Sequence, residues 1–135
     1  MIYLDTAALV KLVRRERHSE ELVDWLNAPW HNTLPRVASA LAEIELPRAV
    51  RRNAPEAAAG VPPVLASLYL VEMDATIRQT AAAYPDPFLR SLDAVHLATA
   101  DLLSRRPGAE LTAFVTYDRR LAEAARGVGL PVWPE

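Results

Sequence analysis

Acidic side chains have the clearest chemical potential in this sequence. Four of them have surroundings that suggest one shared site: Asp5, Glu45, Asp93 and Asp118. Like charges a few ångströms apart in a partly dry site raise one another's pKa, so ionised carboxylates converge only where a cation offsets their repulsion. Oxygen ligands suit Mg²⁺ or Mn²⁺, which clamp phosphate oxygens and activate water for attack on a phosphodiester. If the four acids meet, the predicted chemistry is metal-dependent hydrolysis of nucleic acid.

Short apolar runs and helical patterns predict the elements that position these acids. Strands are predicted at residues 2–4, 68–73, 111–116 and 131–133. Helices are predicted to start at Thr6 and to cover residues 19–26, 39–52, 74–84, 91–103 and 118–126. Strands that alternate with helices form parallel sheets covered on both faces. We therefore expect residues 1–135 to form a single domain, a three-layer α/β/α sandwich with a central, mainly parallel sheet.

Three residues bear on how the helices begin and continue. Ser19, followed by two glutamates, is the predicted N-cap of the second helix, and Ser39 is predicted to open the third. Pro47 interrupts that third helix, which either kinks there or restarts with the proline in its first turn. We favour the kink.

In this fold the first and last acids of the set lie at one edge of the sheet. Asp5 follows the first strand and Asp118 follows a late strand, and loops at the carboxyl ends of parallel strands border one crevice. Glu45 and Asp93 lie on helices that can border it. Each acid also has a simpler interpretation, because aspartates at helix starts often cap backbone amides and a helical glutamate often faces solvent. Glu43 is an alternative to Glu45.

Histidine and arginine side chains near these acids have two possible uses. His96 follows Asp93 by three positions, and the favoured interpretation is a hydrogen-bonded structural residue. Arginines lie close to three of the acids in sequence: Arg14, Arg15, Arg17, Arg48, Arg51, Arg52, Arg119 and Arg120. They could hold substrate phosphates, although surface pairing with nearby glutamates is the commoner use.

Composition excludes several classes of protein. The sequence has no cysteine, so disulfides, thiolate metal sites and cysteine nucleophiles are ruled out. The net charge of −2 argues against a protein that coats nucleic acid by charge alone, yet all 15 basic residues except Lys11 are arginines, which suit phosphate contacts. No apolar run is long enough to span a membrane and no signal peptide is evident, so we expect a cytoplasmic protein with no membrane partner.

Four segments in order resemble the PIN-domain family, and specifically the VapC-type toxins of bacterial toxin–antitoxin pairs. They are Leu4-Asp5-Thr6-Ala7-Ala8-Leu9-Val10-Lys11, Ser39 to Glu45-Leu46, Ser91-Leu92-Asp93-Ala94-Val95-His96-Leu97-Ala98, and Val115-Thr116-Tyr117-Asp118-Arg119-Arg120-Leu121. The resemblance covers almost the whole chain.

The resemblance implies a Mg²⁺- or Mn²⁺-dependent endoribonuclease. Such proteins are commonly homodimers that cleave tRNA, rRNA or other RNA until a VapB-type antitoxin occupies their groove. By position, Asp5, Glu45, Asp93 and Asp118 match the family's acids. The resemblance implies that Asp5 and Asp93 are the metal ligands and that Glu45 and Asp118 act through water. The resemblance also implies supporting roles for Thr6 and Thr116.

Two other functions are compatible with a parallel sheet that gathers acids at one edge. A phosphoacceptor signalling domain of the flavodoxin-like type would need paired acids after the first strand and a late lysine, but the sequence offers Asp5 alone and only Lys11. A catalytically silent binding module that keeps the fold is the other alternative. The complete set of four acids argues against it.

Overall fold

The computed structural model describes residues 1–135. Its five strands are β1 (Ile2–Leu4), β2 (Arg36–Ser39), β3 (Tyr69–Val71), β4 (Ala113–Val115) and β5 (Val132–Trp133). Its seven α-helices are α1 (Thr6–Val13), α2 (Ser19–Asn27), α3 (Ala42–Asn53), α4 (Val61–Ala66), α5 (Ala75–Ala83), α6 (Ser91–Ser104) and α7 (Arg119–Gly127). A 3₁₀ helix at Pro55–Gly60 precedes α4. None of the helices combines the length and apolar character that crossing a membrane requires.

The strands form one sheet with an apolar core on each face. All pairings are parallel, in the order β3-β2-β1-β4-β5. Within β1, Ile2 and Leu4 pack on one side with side chains from α1 to α4, and Tyr3 packs on the other with side chains from α6 and α7. This alternation follows from the period of two along a strand. The α/β/α sandwich predicted from the sequence is confirmed.

The order of the strands creates a crevice between β1 and β4. From β1 the chain winds outward through β2 to β3, and it then returns to the other side of β1 to form β4 and β5. Helix α1, after β1, packs on one face, and helix α7, after β4, packs on the other. Ligands of open α/β sheets bind where neighbouring connections diverge in this way, at the carboxyl ends of the strands.

Two details of the predicted elements are wrong. Ser39 does not open a helix: it ends β2, a strand the sequence interpretation missed, and α3 begins three residues later. Ser19 is not an N-cap, because its hydroxyl donates to the Arg14 carbonyl at 3.1 Å and accepts from the Glu16 N–H at 2.9 Å. Helix α3 continues through Pro47, so the chain does not restart at that residue.

Candidate active site

Asp5 and Asp118 lie at the carboxyl ends of the two strands that border the crevice. Asp5 directly follows β1 and is almost fully buried, and Asp118 follows β4. Each is the N-cap of the next helix: Asp5 Oδ1 accepts from the Ala8 N–H and Asp118 Oδ1 from the Leu121 N–H, both at 2.9 Å. The capping interpretation is therefore correct for both. It uses one oxygen of each carboxylate.

Arg90, which the sequence interpretation did not single out, bridges Asp93 and Asp118. Its Nε lies 3.3 Å from Asp93 Oδ2, and its Nη2 lies 3.3 Å from Asp118 Oδ2. One guanidinium thus joins the start of α6 to the start of α7. The only sequence signal for this contact is the spacing of three residues between Arg90 and Asp93.

The charges of the three aspartates act on one another. Burial is the largest cause that raises the pKa of Asp5, and the charge of Asp93 raises it further against opposing hydrogen bonds from Thr116 and the Ala8 N–H. Burial likewise raises the pKa of Asp93; Arg90 opposes this shift and the charge of Asp118 adds to it. Asp93 is therefore coupled electrostatically to both Asp5 and Asp118, and these three residues form the acidic centre of the candidate site.

Glu45 joins this centre from α3. The Thr6 hydroxyl donates to Glu45 Oε1 at 2.7 Å, and His96 Nε2 lies 2.8 Å from the same oxygen. Burial raises the pKa of Glu45, but the hydrogen bond from His96, the electrostatic attraction of His96 and the Thr6 hydroxyl outweigh it, so the pKa is lowered. Glu43, the alternative to Glu45, is exposed and has none of these contacts.

His96 is buried and hydrogen-bonded, as expected of a structural residue, but one of its partners belongs to the candidate site. Its Nδ1 lies 2.8 Å from the Tyr3 hydroxyl, and its Nε2 faces Glu45. The sequence interpretation missed this contact because Glu45 lies 51 positions away along the chain. Only the packing of α3 and α6 around β1 brings the two together.

Two open cavities meet at Asp93 and Arg90, which line both. The larger has a volume of about 490 Å³, and the smaller about 350 Å³. Thr6, Glu45 and the exposed Arg52 also line the larger cavity. The smaller is lined further by Asp118, Arg119 and Arg120. An acidic centre with exposed arginines on both sides can attract a cation at its base and a polyanion at its rim.

Thr116 lies between the two capping aspartates. Its hydroxyl accepts from the Asp118 N–H at 3.1 Å, and its hydrogen bond lowers the pKa of Asp5. Thr116 is buried, so it is placed to order the Asp5 carboxylate and the backbone at Asp118. Thr6 has the corresponding position beside Glu45.

The donor set suits an ion that needs few protein ligands. No three His, Asp or Glu side chains form a ready-made metal-binding group. Mg²⁺ commonly binds through one or two carboxylates and completes its octahedron with waters and substrate phosphates. Asp5 and Asp93 fit that pattern, because the charge of Asp93 disfavours ionisation of Asp5 and the cationic Arg90 already lies against Asp93 and Asp118.

Comparison with known proteins gives consistent matches along the chain. Residues 2–127 match the family model described as PIN domain. The chain is 55% identical over 132 residues to Ribonuclease VapC35 of Mycobacterium tuberculosis (strain ATCC 25618 / H37Rv), covering 98% of this chain and 95% of that protein. It is 39% identical over 131 residues to Ribonuclease VapC46 of the same strain, covering 97% and 95%. Ribonuclease VapC47 of strain CDC 1551 is 39% identical over 130 residues, covering 96% and 93%.

Proposed function

The chain belongs to the PIN-domain family, and we propose that it is a VapC-type toxin, an endoribonuclease that requires Mg²⁺ or Mn²⁺. The observation that carries this proposal is the electrostatic coupling of Asp93 to Asp5 and to Asp118 at the carboxyl edge of the sheet, with Arg90 bridging Asp93 and Asp118. The alternative of a phosphoacceptor domain is disfavoured, because Lys11 pairs with Glu16 at 3.1 Å instead of serving the acidic centre.

Each acidic residue has a distinct part in the proposed reaction. Asp5 and Asp93 would hold the divalent ion, which when bound would supply Lewis acidity toward a phosphate oxygen and activate a water. Glu45 and Asp118 act through water molecules at the edges of the same centre. Thr6 and Thr116 orient Glu45, Asp5 and Asp118 through their hydroxyl groups.

The proposed substrate is RNA, whether tRNA, rRNA or another class. Arg52 lies at the rim of the larger cavity, and Arg119 and Arg120 line the smaller one. Guanidinium groups bind phosphate oxygens in a forked geometry. An RNA strand that crosses the acidic centre would therefore contact arginine side chains on both sides of the scissile bond.

The proposed partner is a VapB-type antitoxin that occupies the groove between these arginines. The resemblance to VapC-type toxins implies such a partner, and the acidic groove flanked by cations offers an antitoxin segment contacts of both signs. A homodimer and a cytoplasmic location complete the proposal. Gel filtration with light scattering tests the dimer.

A cleavage assay with matched variants tests the enzymatic proposal. Purified protein should cut RNA in the presence of Mg²⁺ or Mn²⁺ and should stop when EDTA is added. Asp93→Asn should abolish cleavage, whereas Asp74→Asn, which changes a helix-capping aspartate outside the site, should leave it intact. Cleavage that persists in EDTA, or that Asp93→Asn retains, would refute the metal-dependent mechanism. Absence of cleavage by folded, metal-loaded protein would favour the silent binding module.

A growth experiment tests the biological part of the proposal. Expression of the chain alone should slow growth of the host, and expression of a short reading frame that neighbours its gene should relieve the arrest. Asp93→Asn should not slow growth. If the active protein is harmless and has no such neighbour, the chain would instead be a free-standing enzyme of RNA processing.

A further inference from the structure

A buried chain of hydrogen bonds links β1 to Glu45 through His96. The His96 side chain is only 2% exposed and lies one turn after Asp93 on α6. Its Nδ1 is 2.8 Å from the Tyr3 hydroxyl, and its Nε2 is 2.8 Å from Glu45 Oε1. Three elements of the sandwich, β1, α6 and α3, therefore meet in this chain.

The chemistry of the partners fixes the direction of the donors. An ionised carboxylate has no proton to give, so the hydrogen bond to Glu45 requires a proton on His96 Nε2. Burial raises the pKa of Tyr3 well above its usual value, and the phenol keeps its proton. The Tyr3 hydroxyl can then donate to the lone pair of Nδ1. Every donor in the chain thus points toward Glu45.

The result is a carboxylate held by one oxygen only. Glu45 Oε1 accepts from both His96 Nε2 and the Thr6 hydroxyl, whereas Oε2 has no hydrogen bond to the protein. Glu45 also lines the larger cavity beside Asp93. Two donors on a single oxygen restrict rotation of the carboxylate and leave the other oxygen available to the cavity.

The second buried histidine of the protein has a different environment. His31 Nδ1 contacts the Trp25 backbone carbonyl at 2.8 Å, and its ring packs against the Trp25 indole at a centroid distance of 4.0 Å. These are contacts that hold a loop in place. His31 is therefore a matched control for a histidine with a purely structural role.

We propose that His96, supported by Tyr3, is a positioning residue for the reaction: it holds Glu45 so that Oε2 is presented to the cavity where substrate and water bind. This inference rests on the proposed ribonuclease function for its catalytic consequence. Its geometric part, the protonated Nε2 directed at Glu45, is independent of that function. The two parts can be tested separately.

Nuclear magnetic resonance tests the geometric part. In protein labelled with ¹⁵N-histidine, long-range ¹H–¹⁵N correlations distinguish a ring protonated at Nε2 from one protonated at Nδ1. The signals of His96 are assigned by their absence in His96→Gln. We expect Nε2 to carry a proton; a neutral ring with its proton on Nδ1 cannot donate to Glu45 and would overturn the proposal, whether or not the protein cleaves RNA.

The kinetics of three variants test the catalytic part. His96→Leu cannot donate to Glu45, and we expect kcat to fall about 10- to 100-fold, the usual cost of losing a residue that orients a metal-site group. The KM for RNA should change less than threefold, because His96 does not line either cavity. His96→Gln, whose amide can donate, should recover part of kcat, and Tyr3→Phe should have a smaller effect than His96→Leu.

Stability measurements separate positioning from support of the fold. His31→Leu should lower the urea midpoint without lowering kcat. Among the His96 variants, the loss of kcat should not correlate with the loss of stability measured by the urea midpoint. Equal kcat for His96→Gln and His96→Leu, or wild-type kcat in His96→Leu, would overturn the positioning role. If His96→Leu does not fold, the comparison of Tyr3→Phe with wild type and the NMR measurement still decide. Absence of cleavage by the wild-type protein would refute the proposed function and leave the NMR test of the hydrogen bond standing.

Discussion

Replacing Asp93 by asparagine should uncouple the stability of the protein from divalent ions. A ligand that binds only the folded state stabilises it by RT ln(1 + [L]/Kd), about 2.7 kcal/mol at an ion concentration 100 times the Kd. For a domain of this size, 1 kcal/mol shifts the melting temperature by about 4 °C. The wild-type protein should therefore gain roughly 10 °C when Mn²⁺ is added at that concentration.

Asp93→Asn should remove most of that gain. The substitution takes away one of the two proposed carboxylate ligands, and a loss of affinity of about 100-fold would make the same ion concentration equal to the new Kd. The stabilisation then falls to about 0.4 kcal/mol, a shift of less than about 2 °C.

Without the ion, the same variant should melt within a few degrees of wild type. The Arg90–Asp93 ion pair that it loses is 3.3 Å long, but the Arg90 side chain is 78% exposed, and exposed pairs contribute about 1 kcal/mol at most. Burial raises the pKa of Asp93, so a neutral amide also removes an unfavourable charge. These effects oppose each other.

Differential scanning fluorimetry with Mn²⁺ or EDTA measures both quantities. Asp74→Asn is the matched control, because Asp74 caps α5 through its Oδ1 at 2.9 Å and asparagine caps equally well. It should keep the full ion-dependent shift. A wild-type shift in Asp93→Asn would show that Asp93 is not a ligand, and an equal loss in Asp74→Asn would show that the assay does not report on the site.

Four further predictions follow from the same contacts. Asp5→Asn should keep the α1 cap and abolish cleavage, whereas Asp5→Ala should also lose about 1 kcal/mol of stability, measured by urea unfolding. Arg90→Ala should lower the Kd for Mn²⁺ several-fold in calorimetry, because it removes a competing cation from Asp93 and Asp118; an unchanged or higher Kd would contradict this. In metal-free protein, the pKa of Asp93 is raised in the folded state, so the folded state binds more protons than the unfolded chain does. The free energy of unfolding of wild type, compared with that of Asp93→Asn, should therefore fall as the pH rises from below about 4 through the folded pKa. Pro47→Ala should raise the urea midpoint, since it restores a backbone donor inside α3 and gains about 1 kcal/mol or more; a lower midpoint would show that the proline ring is needed for packing.

Local patterns were sufficient to predict most of the fold. The apolar run before Asp5 and the cap pattern at Asp74 place β1 and α5 correctly, because strand and helix signals there lie within a few residues of each other. The strand β2 could not be predicted in this way. It contains four residues, and its identity depends on pairing with both β1 and β3. Ser39 at its end has the appearance of a helix cap when tertiary pairing is ignored.

The same distinction between local patterns and tertiary pairing applies to the residues of the candidate site. Asp5 and Asp118 could be placed at the edge of the sheet because Asp5 directly follows β1 and Asp118 lies in the loop after β4, whereas the sequence left Glu43 open as an alternative to Glu45. The contacts of Arg90 with Asp118 and of His96 with Glu45 join residues 28 and 51 positions apart. No periodicity within one element encodes such pairs, since they arise only when α3, α6 and α7 pack around the sheet.

In a sequence, an aspartate at a helix start can be explained either as a cap or as a site residue. In this structure both explanations hold, because each role uses a different oxygen of the carboxylate. Asp118 caps α7 with Oδ1 while its Oδ2 faces Arg90, and Glu45 is anchored through Oε1 while its Oε2 is free. A carboxylate fixed by one oxygen keeps the other in a defined place, which costs less entropy on binding than ordering a free side chain. The helix cap at Asp118 therefore prepares the residue for a cation or a water. Asp5, which caps α1 through Oδ1, follows the same rule. This explains why a short strand followed by a capped helix is an effective way to build an acidic centre.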